Sequence, residues 1–204
     1  MRLLIVGATG GTGRQLVAQA LARGHKVTAL ARRPAKIAVR HEGLVVLPGN
    51  VMDYNSLEVA MHGQEAVLCA LGHKRWFYPT RILSEGTRNL VRAMETHQVR
   101  RLICETSLGL GDSSGRMGLY YTLFVIPFIL PFYYWDKRRQ EQVIRASSPE
   151  WVIVRPGAPG YRRRWRMREA RQGCTDVFGK NESNPSLKAL YEQPTISRAE
   201  GKII

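Results

Sequence analysis

The stretch RLLIVGATGGTG, residues 2–13, decides the fold that we expect of this chain. Its first five residues form a short apolar run of the kind that makes a buried strand. A glycine cluster follows at once, and a helical pattern of apolar residues then extends from Arg14 to Arg23, with Gly24 placed to end the helix. Lys26–Ala31 has the composition of a second strand. The order of strand, glycine loop, helix and strand predicts a β-α-β unit.

The glycine loop has the spacing of a pyrophosphate-binding turn. Two residues separate each of its three spaced glycines, and a backbone without Cβ atoms can bend sharply and approach a pyrophosphate closely. The helix that follows presents free N–H groups and the positive end of its dipole to phosphate oxygens. We therefore predict a dinucleotide site, with a purely structural glycine turn as the alternative. The expected phosphate-binding residues are Gly7, Thr9, Gly10, Gly11, Thr12 and Gly13.

The end of the second strand indicates which dinucleotide is bound. An enzyme that selects NAD usually has an Asp or Glu there for the ribose 2′-OH, whereas this chain has Arg32 and Arg33. Two guanidinium groups suit a 2′-phosphate by charge and by bidentate hydrogen bonding. The sequence thus favours NADP(H), and the alternative is that both arginines are simply solvated. We expect Asn50 and Val51 to border the adenine, and Ala70, Leu71 and Gly72 to lie along the middle of the cofactor.

Strands and helices alternate through the rest of the chain. Apolar runs predict strands at Leu44–Leu47, Ala66–Leu71, Arg101–Glu105 and Trp151–Val154, and periodic segments predict helices over Asn55–Met61, Pro79–Gln98 and Asp136–Ala146. This alternation predicts a single-domain α/β fold of Rossmann type, a doubly wound parallel sheet with helices on both faces. We place the NAD(P)-binding domain at residues 1–159. Residues 160–204 are expected to be an irregular, basic C-terminal segment, either a truncated or a divergent substrate lid.

Charge and cysteine usage bear on the partners and the compartment. The 204 residues carry a net charge of +15, and six arginines with one acid lie between Tyr161 and Arg171. A basic surface attracts phosphate-bearing ligands, anionic membranes or nucleic acid. No nucleic-acid-binding motif accompanies the arginine run, so we expect a solvated tail, with contact to acidic lipid or nucleic acid left open. Three scattered cysteines fit a reducing compartment, and we see no signal peptide, so we expect a cytoplasmic protein without a metal site.

Several motifs together resemble the atypical short-chain dehydrogenase/reductase family. They are GATGGTG, ARRP, PGNVMD, ALGHK, SEGTRNLVRAM, RLICETS and WVIVRPGAP, and they extend from Met1 to about Pro159. The chain is most similar to the NAD(P)H-binding reductases that resemble biliverdin reductase B, a flavin reductase, and to nitrogen-metabolite-repression regulator-like proteins. The resemblance implies an NADP(H) cofactor. It implies either a reductase of flavins, quinones or tetrapyrroles, or an NADP(H)-binding redox sensor or assembly factor with little catalysis.

The resemblance also implies catalytic candidates. Ser107 follows the fifth strand, where a serine of this family faces the nicotinamide and holds a substrate oxygen; the alternative is a serine that caps the next loop. Tyr133 and Lys137 have a Tyr-x-x-x-Lys spacing, which places both on one helix face. There the ammonium would lower the pKa of the phenol and help it act as a general acid, unless Tyr133 is a packing residue. The Pro-Pro-His-Ile histidine of biliverdin reductase B is absent, since this chain has RPGA at residues 155–158.

An apolar segment suggests the character of the acceptor. Leu119–Trp135, LYYTLFVIPFILPFYYW, is shorter than the roughly 20 residues of a membrane-spanning helix and is interrupted by Pro127 and Pro131. We expect it to form a wall of the substrate pocket, which favours a flat, apolar small molecule. Peripheral membrane contact or a dimer surface is the alternative. The sequence therefore predicts an NADPH-dependent oxidoreductase that transfers hydride to a flavin- or quinone-type acceptor, and it leaves the oligomeric state open.

Overall fold

The computed structural model describes residues 1–73, 78–107, 131–155 and 202–203, within which strands and helices alternate. The strands are β1 (Arg2–Val6), β2 (Lys26–Ala31), β3 (Leu44–Pro48), β4 (Ala66–Cys69), β5 (Arg101–Glu105), β6 (Glu150–Val154) and β7 (Lys202–Ile203). The helices are α1 (Gly11–Ala22), α2 (Tyr54–Met61), α3 (Ile82–Thr96) and α4 (Pro131–Arg145), and a short 3-10 turn occupies Pro34–Lys36.

The described strands form one parallel sheet in the order β3-β2-β1-β4-β5-β6-β7. The chain runs outward from β1 to β3 and then returns to the other side of β1 with β4, which makes the gap between β1 and β4 the switch point. Ligands of such sheets bind at the carboxyl ends of the strands beside that point. The predicted α/β fold of Rossmann type is confirmed.

Two apolar cores lie on opposite faces of this sheet. Successive side chains of a strand point to opposite faces, so Leu4 and Val6 of β1 join one core and Leu3 and Ile5 join the other. The first core is completed by residues of α2, α3 and α4, and the second by residues of α1. Burial on both faces explains why the strands are almost continuously apolar in sequence.

Two cysteines are part of the first core. Cys69 and Cys104 are fully buried and occupy paired positions on the neighbouring strands β4 and β5. A hydrogen bond with Cys69, together with burial, raises the pKa of the Cys104 thiol well above its ordinary value. Such a thiol stays protonated, which fits a packing role.

Several element boundaries differ from the predicted ones. Helix α1 begins at Gly11 rather than Arg14, because the glycines that break the apolar pattern still adopt helical dihedral angles. Helix α4 spans Pro131–Arg145, whereas the sequence predicts a helix only from Asp136. Tyr133 therefore lies inside α4. Strand β4 ends at Cys69 rather than Leu71, which leaves the next residues free to follow the edge of the sheet.

One short strand near the end of the chain has no counterpart in the sequence prediction. Lys202 and Ile203 form β7, which pairs in parallel with Val152 and Ile153 of β6. Part of the C-terminal segment thus extends the sheet. The arginine run from Tyr161 to Arg171 and most of the apolar segment lie outside the described residues.

Candidate functional site

A cleft with a volume of about 830 Å³ follows the carboxyl ends of β1, β2, β4 and β5. Its size lies in the upper part of the range for small-molecule sites. Most of the predicted site residues line it. Those in the lining are Gly7, Thr9, Gly10, Gly11, Thr12, Gly13, Arg32, Asn50, Val51, Ala70, Leu71, Gly72, Tyr133 and Lys137. Arg33 and Ser107 are the two predicted site residues that the described lining does not include.

The backbone of the loop between β1 and α1 requires glycine at two positions. Gly7 has φ of +86°, and a Cβ there would lie 2.2 Å from the carbonyl oxygen of Ala70. A Cβ on Gly13 would lie 2.1 Å from the carbonyl oxygen of Gly7. The loop therefore packs directly on the end of β4 and on its own first turn. This close packing brings the N-terminus of α1 to the switch point of the sheet.

The same loop fits a diphosphate on its open side. Gly10 is the N-cap of α1 and has no side chain that could accept hydrogen bonds from the first N–H groups of the helix. A Cβ on Gly11 would meet no atom within 4 Å among the described residues, so the loop leaves room above the helix end. Unsatisfied N–H groups and the helix dipole at such an end attract phosphate oxygens.

Three basic residues line the cleft near the end of β2 and the start of α1. Arg32 follows β2, and the 3-10 turn at Pro34–Lys36 brings the chain back so that Lys36 also borders the cleft. Arg14 of α1 is the third. Arg33, the N-cap of the 3-10 turn, is exposed and lies outside the described lining. The sequence identified Arg32, and only the three-dimensional structure identifies Lys36 and Arg14 as lining residues.

Helix α4 supplies the opposite end of the cleft. Tyr133 and Lys137 share one face of α4 and both line the cleft, as their spacing predicts. Lys137 is 1% exposed, and its Nζ donates hydrogen bonds to the backbone oxygens of Leu71 at 3.0 Å and Glu105 at 3.1 Å. The ammonium thus joins the ends of β4 and β5. It lies 5.9 Å from the centroid of the Tyr133 ring.

His73 is a lining residue that sequence reasoning did not single out. Its imidazole packs edge to face against the Tyr133 ring, with 5.2 Å between the centroids. Its Nε2 lies 2.9 Å from Oγ1 of Thr80 and 4.0 Å from the buried carboxylate of Asp136. The sequence feature that could have identified His73 is its position in the ALGHK motif, shortly after a buried strand at the functional edge of the sheet.

A buried ion pair fixes the ends of β5 and β6. Nε and a terminal nitrogen of Arg155 donate to the two carboxylate oxygens of Glu141 at 2.9 and 2.6 Å. Thr106 Oγ1 donates to the same carboxylate at 2.8 Å. This bidentate arrangement satisfies a charge that would be costly to bury alone. It also holds Thr106 in the cleft lining, next to Ser107, which is half-buried outside that lining.

Glu105 adds a carboxylate to the cleft, and the sequence patterns did not identify it as a site residue. It is the last residue of β5, and its Oε1 accepts a hydrogen bond from Oγ1 of Thr12, in the glycine loop, at 3.1 Å. Burial raises the pKa of Glu105, against the lowering influence of the Lys137 ammonium and of the Thr12 hydroxyl. An acidic group with a raised pKa in a ligand cleft is a candidate functional group.

The ranges that the structure describes provide neither a cluster of metal ligands nor a membrane-spanning helix. Those ranges contain no cluster of three or more His, Cys, Asp or Glu side chains able to hold a metal ion. They also contain no helix that is long and apolar enough to cross a membrane.

Comparisons with known proteins agree with this geometry. Residues 7–172 match the model of a protein family described as NAD(P)H-binding. The chain is 34% identical over 106 residues to the photosystem II assembly factor Ycf39 of Synechocystis sp.. This match covers 50% of this chain and 32% of that protein. It is 30% identical over 154 residues to the (4-alkanoyl-5-oxo-2,5-dihydrofuran-3-yl)methyl phosphate reductase of Streptomyces griseus, covering 76% of this chain and 46% of that protein. The chain spans less than half the length of these two relatives.

A solved structure also indicates an NAD(P)-binding Rossmann fold. A Rossmann-fold NAD(P)-binding family protein from Shigella flexneri is 28% identical to this chain, with a TM-score of 0.56. The similarity covers 76% of this chain and 66% of that protein.

Proposed function

Because the chain belongs to the NAD(P)H-binding family, we propose that it is an NADPH-dependent reductase that transfers hydride to a flat, conjugated acceptor of the flavin or quinone type. The continuous cleft carries this proposal. It joins a glycine loop that fits a diphosphate to a second end lined by Tyr133, His73 and Lys137. A dinucleotide that is held at the loop can therefore reach both the basic end near β2 and the aromatic end near α4.

The basic end favours NADPH over NADH. Arg14, Arg32 and Lys36 line it, and the residues that follow β2 directly are arginines rather than the Asp or Glu that would bind a ribose 2′-OH. A 2′-phosphate carries close to two negative charges at neutral pH and offers several acceptor oxygens. Guanidinium and ammonium groups satisfy both.

The aromatic end suits a planar acceptor. A dinucleotide whose diphosphate bound at α1 and whose adenosine half extended over β2 would reach the ends of β4 and β5 with its nicotinamide half. When bound, the cofactor supplies the hydride, and the chain supplies position and electrostatics. The edge-to-face pair of Tyr133 and His73 offers flat surface to a conjugated ring. The Tyr133 phenol is our candidate proton donor, and Ser107, beside Thr106, is our candidate for orienting an acceptor oxygen.

Steady-state oxidation of NADPH tests this proposal. The purified chain is assayed without oxygen against riboflavin, FMN, menadione and a short-chain ubiquinone, and the affinity for NADPH is measured in parallel. We expect turnover with at least one of these acceptors. A Gly11→Asp variant, which places a carboxylate in the open part of the loop, is expected to lose both binding and turnover, which excludes a contaminating reductase. Absent turnover with intact NADPH affinity would overturn the reductase proposal.

A second candidate function is an NADP(H)-binding redox sensor or assembly factor with little catalysis. The position of Lys137 favours it, because two hydrogen bonds of the buried ammonium go to backbone oxygens and hold strand ends together. The similarity to the assembly factor Ycf39 also supports it. Binding of NADPH without turnover in the assay above is the result that this candidate predicts. The cytoplasmic location and the possible contact with a membrane surface stay predictions under either candidate.

A further inference from the structure

We propose that Glu105 is an anion built into the diphosphate site, which competes with the cofactor for the Thr12 hydroxyl and takes up a proton when the cofactor binds. This inference rests on the proposed dinucleotide function and adds to it a residue that sets affinity for the cofactor. It also predicts that binding of the cofactor depends on pH through a residue of the protein.

The geometry places a carboxylate against the phosphate-binding turn. Thr12 is the second residue of α1 and belongs to the glycine loop, and the first turn of α1 contains no acidic residue of its own. Glu105 comes from β5, yet its Oε1 accepts the hydrogen bond of Thr12 Oγ1 at 3.1 Å. Both residues line the cleft. The Thr12 hydroxyl of the glycine loop therefore donates its only hydrogen to a protein carboxylate.

This hydrogen bond opposes the binding of a diphosphate in two ways. With its proton directed at Glu105, the Thr12 oxygen can present only lone pairs to a phosphate oxygen. The ionised Glu105 also adds a negative charge beside the negatively charged diphosphate. Repulsion between like charges in a partly desolvated site favours the neutral, protonated form of Glu105. One proton from solvent on Glu105 removes both obstacles. The carboxyl O–H then donates to Thr12, and the Thr12 hydroxyl donates to the phosphate.

The groups around Glu105 leave its carboxylate without a close cationic partner among the described residues. Lys137 of α4 donates to the backbone oxygen of Glu105 rather than to its carboxylate. On β4 and on its own strand the titratable neighbours are the thiols of Cys69 and Cys104, and the charge of Glu105 acts to raise the pKa of each.

None of the other charged groups that the structure describes around the site forms a hydrogen bond with the Glu105 carboxylate. The β6 residue paired with Glu105 is Val154, and Arg155, which follows it, is bound to Glu141. Arg14 and His73 line the same cleft without a hydrogen bond to Glu105 among the bonds of the described residues. Burial accordingly outweighs Lys137, and the pKa of Glu105 is raised before any ligand arrives.

The sign of the pH dependence follows from linkage. A bound diphosphate raises the pKa of Glu105 further, so the complex holds more protons than the free protein between the two pKa values. The affinity falls as pH rises through that window, by at most about tenfold per pH unit for one proton. Below the pKa of the free protein, Glu105 is neutral in both states and contributes no dependence.

Calorimetric titration of NADPH into the full chain tests the inference. It is run from about pH 5.5 to about pH 9 in two buffers of different ionisation enthalpy, so that proton uptake is measured together with Kd. Glu105→Gln keeps the shape of the side chain and removes its charge. Glu42→Gln is the matched control, because Glu42 is exposed and precedes the amino end of β3, at the opposite edge of the sheet. Titration of the 2′-phosphate is common to all three proteins and cancels in the ratio of their Kd values.

We expect Glu105→Gln to bind NADPH about tenfold tighter than the wild type at the high-pH end, with the difference closing toward the low-pH end. The wild type should take up more protons than Glu105→Gln, and Glu42→Gln should match the wild type. Equal Kd and equal proton uptake for Glu105→Gln and wild type, or weaker binding by the variant, would overturn the inference.

If the variant does not fold, the titration of the wild type tests the inference alone. Proton uptake that the 2′-phosphate fully accounts for would then contradict the inference. A wild type that fails to bind NADPH at any pH contradicts the proposed function. Binding without proton uptake contradicts only the role of Glu105.

Discussion

The carboxylate of Asp136 in α4 accepts hydrogen bonds from the backbone N–H groups of Leu83 and Ser84, in the first turn of α3, at 3.0 and 3.1 Å. Oγ of Ser84 donates to the same carboxylate at 2.6 Å, and Asp136 is fully buried. Arg81, at the N-cap of α3, provides no side-chain cap. One helix therefore caps another from within the core, and the cap fixes α4, with its Tyr133 and Lys137, beside α3.

Replacing this cap is expected to be costly. Asp136→Ala leaves two buried N–H groups and the hydroxyls of Ser84 and Thr80 without this carboxylate acceptor, which we expect to lower the free energy of unfolding by about 3 kcal/mol. Asp53→Ala is the control, because Asp53 caps α2 through Asn55 but is exposed to solvent, so its loss should be smaller. Urea denaturation measures both. Equal destabilisation by the two variants would show that burial of the Asp136 cap has no particular importance.

Local sequence patterns predicted much of the fold and many residues of the cleft. The glycine loop, the apolar strands and the Tyr133–Lys137 spacing each depend on residues within a few positions of one another. Of the residues predicted to bind the cofactor, Gly7, Thr9 to Gly13, Arg32, Asn50, Val51 and Ala70 to Gly72 line one cleft.

The remaining features depend on contacts between distant parts of the chain. Thr12 and Glu105 are 93 positions apart, and Asp136 lies more than 50 positions from the helix that it caps. No periodicity links such pairs. Lys36 was missed for a different reason, because its approach to the cleft depends on the 3-10 turn that follows Arg33. The sequence pattern identified the elements, and the tertiary packing determined which side chains meet.

Two glycine substitutions should separate folding from ligand binding. Gly7→Ala forces a side chain into a left-handed conformation and against the Ala70 oxygen, so we expect a loss of more than about 2 kcal/mol in stability. Gly11→Ala meets open space, so its thermal stability should stay close to that of the wild type while its affinity for NADPH falls. Differential scanning fluorimetry with and without NADPH measures both effects. A Gly7→Ala protein as stable as the wild type would contradict the described packing of the loop.

Glu105 should also affect stability in the absence of any ligand. Its pKa is raised by burial in the folded state, so the native protein binds more protons than the unfolded chain between the ordinary pKa and the raised one. Stability contributed by this group is therefore present at low pH and is lost as pH rises through that window. We expect Glu105→Gln to match the wild type in Tm near pH 4 and to exceed it at neutral pH. A difference that is constant or that grows toward low pH would contradict the assigned direction.

A phenol that donates a proton should be distinguishable from one that only packs. If Tyr133 is the proton donor, Tyr133→Phe should lower kcat for the best acceptor by about a hundredfold or more, with little change in the affinity for NADPH. Tyr54→Phe is the control, because the Tyr54 hydroxyl contacts Thr96 at a distance from the cleft. Unchanged kcat in Tyr133→Phe would assign the ring to packing against His73.

The preference for a 2′-phosphate, on which the cofactor assignment depends, is measured by titrating NADPH and NADH into the wild type and an Arg32→Ala/Lys36→Ala variant. Lys26→Ala/Arg101→Ala is the control, because it removes two exposed charges at the amino ends of β2 and β5. The wild type and the control should bind NADPH at least about tenfold tighter than NADH, and the Arg32/Lys36 variant should lose most of that difference. A wild type that binds neither dinucleotide would contradict the account.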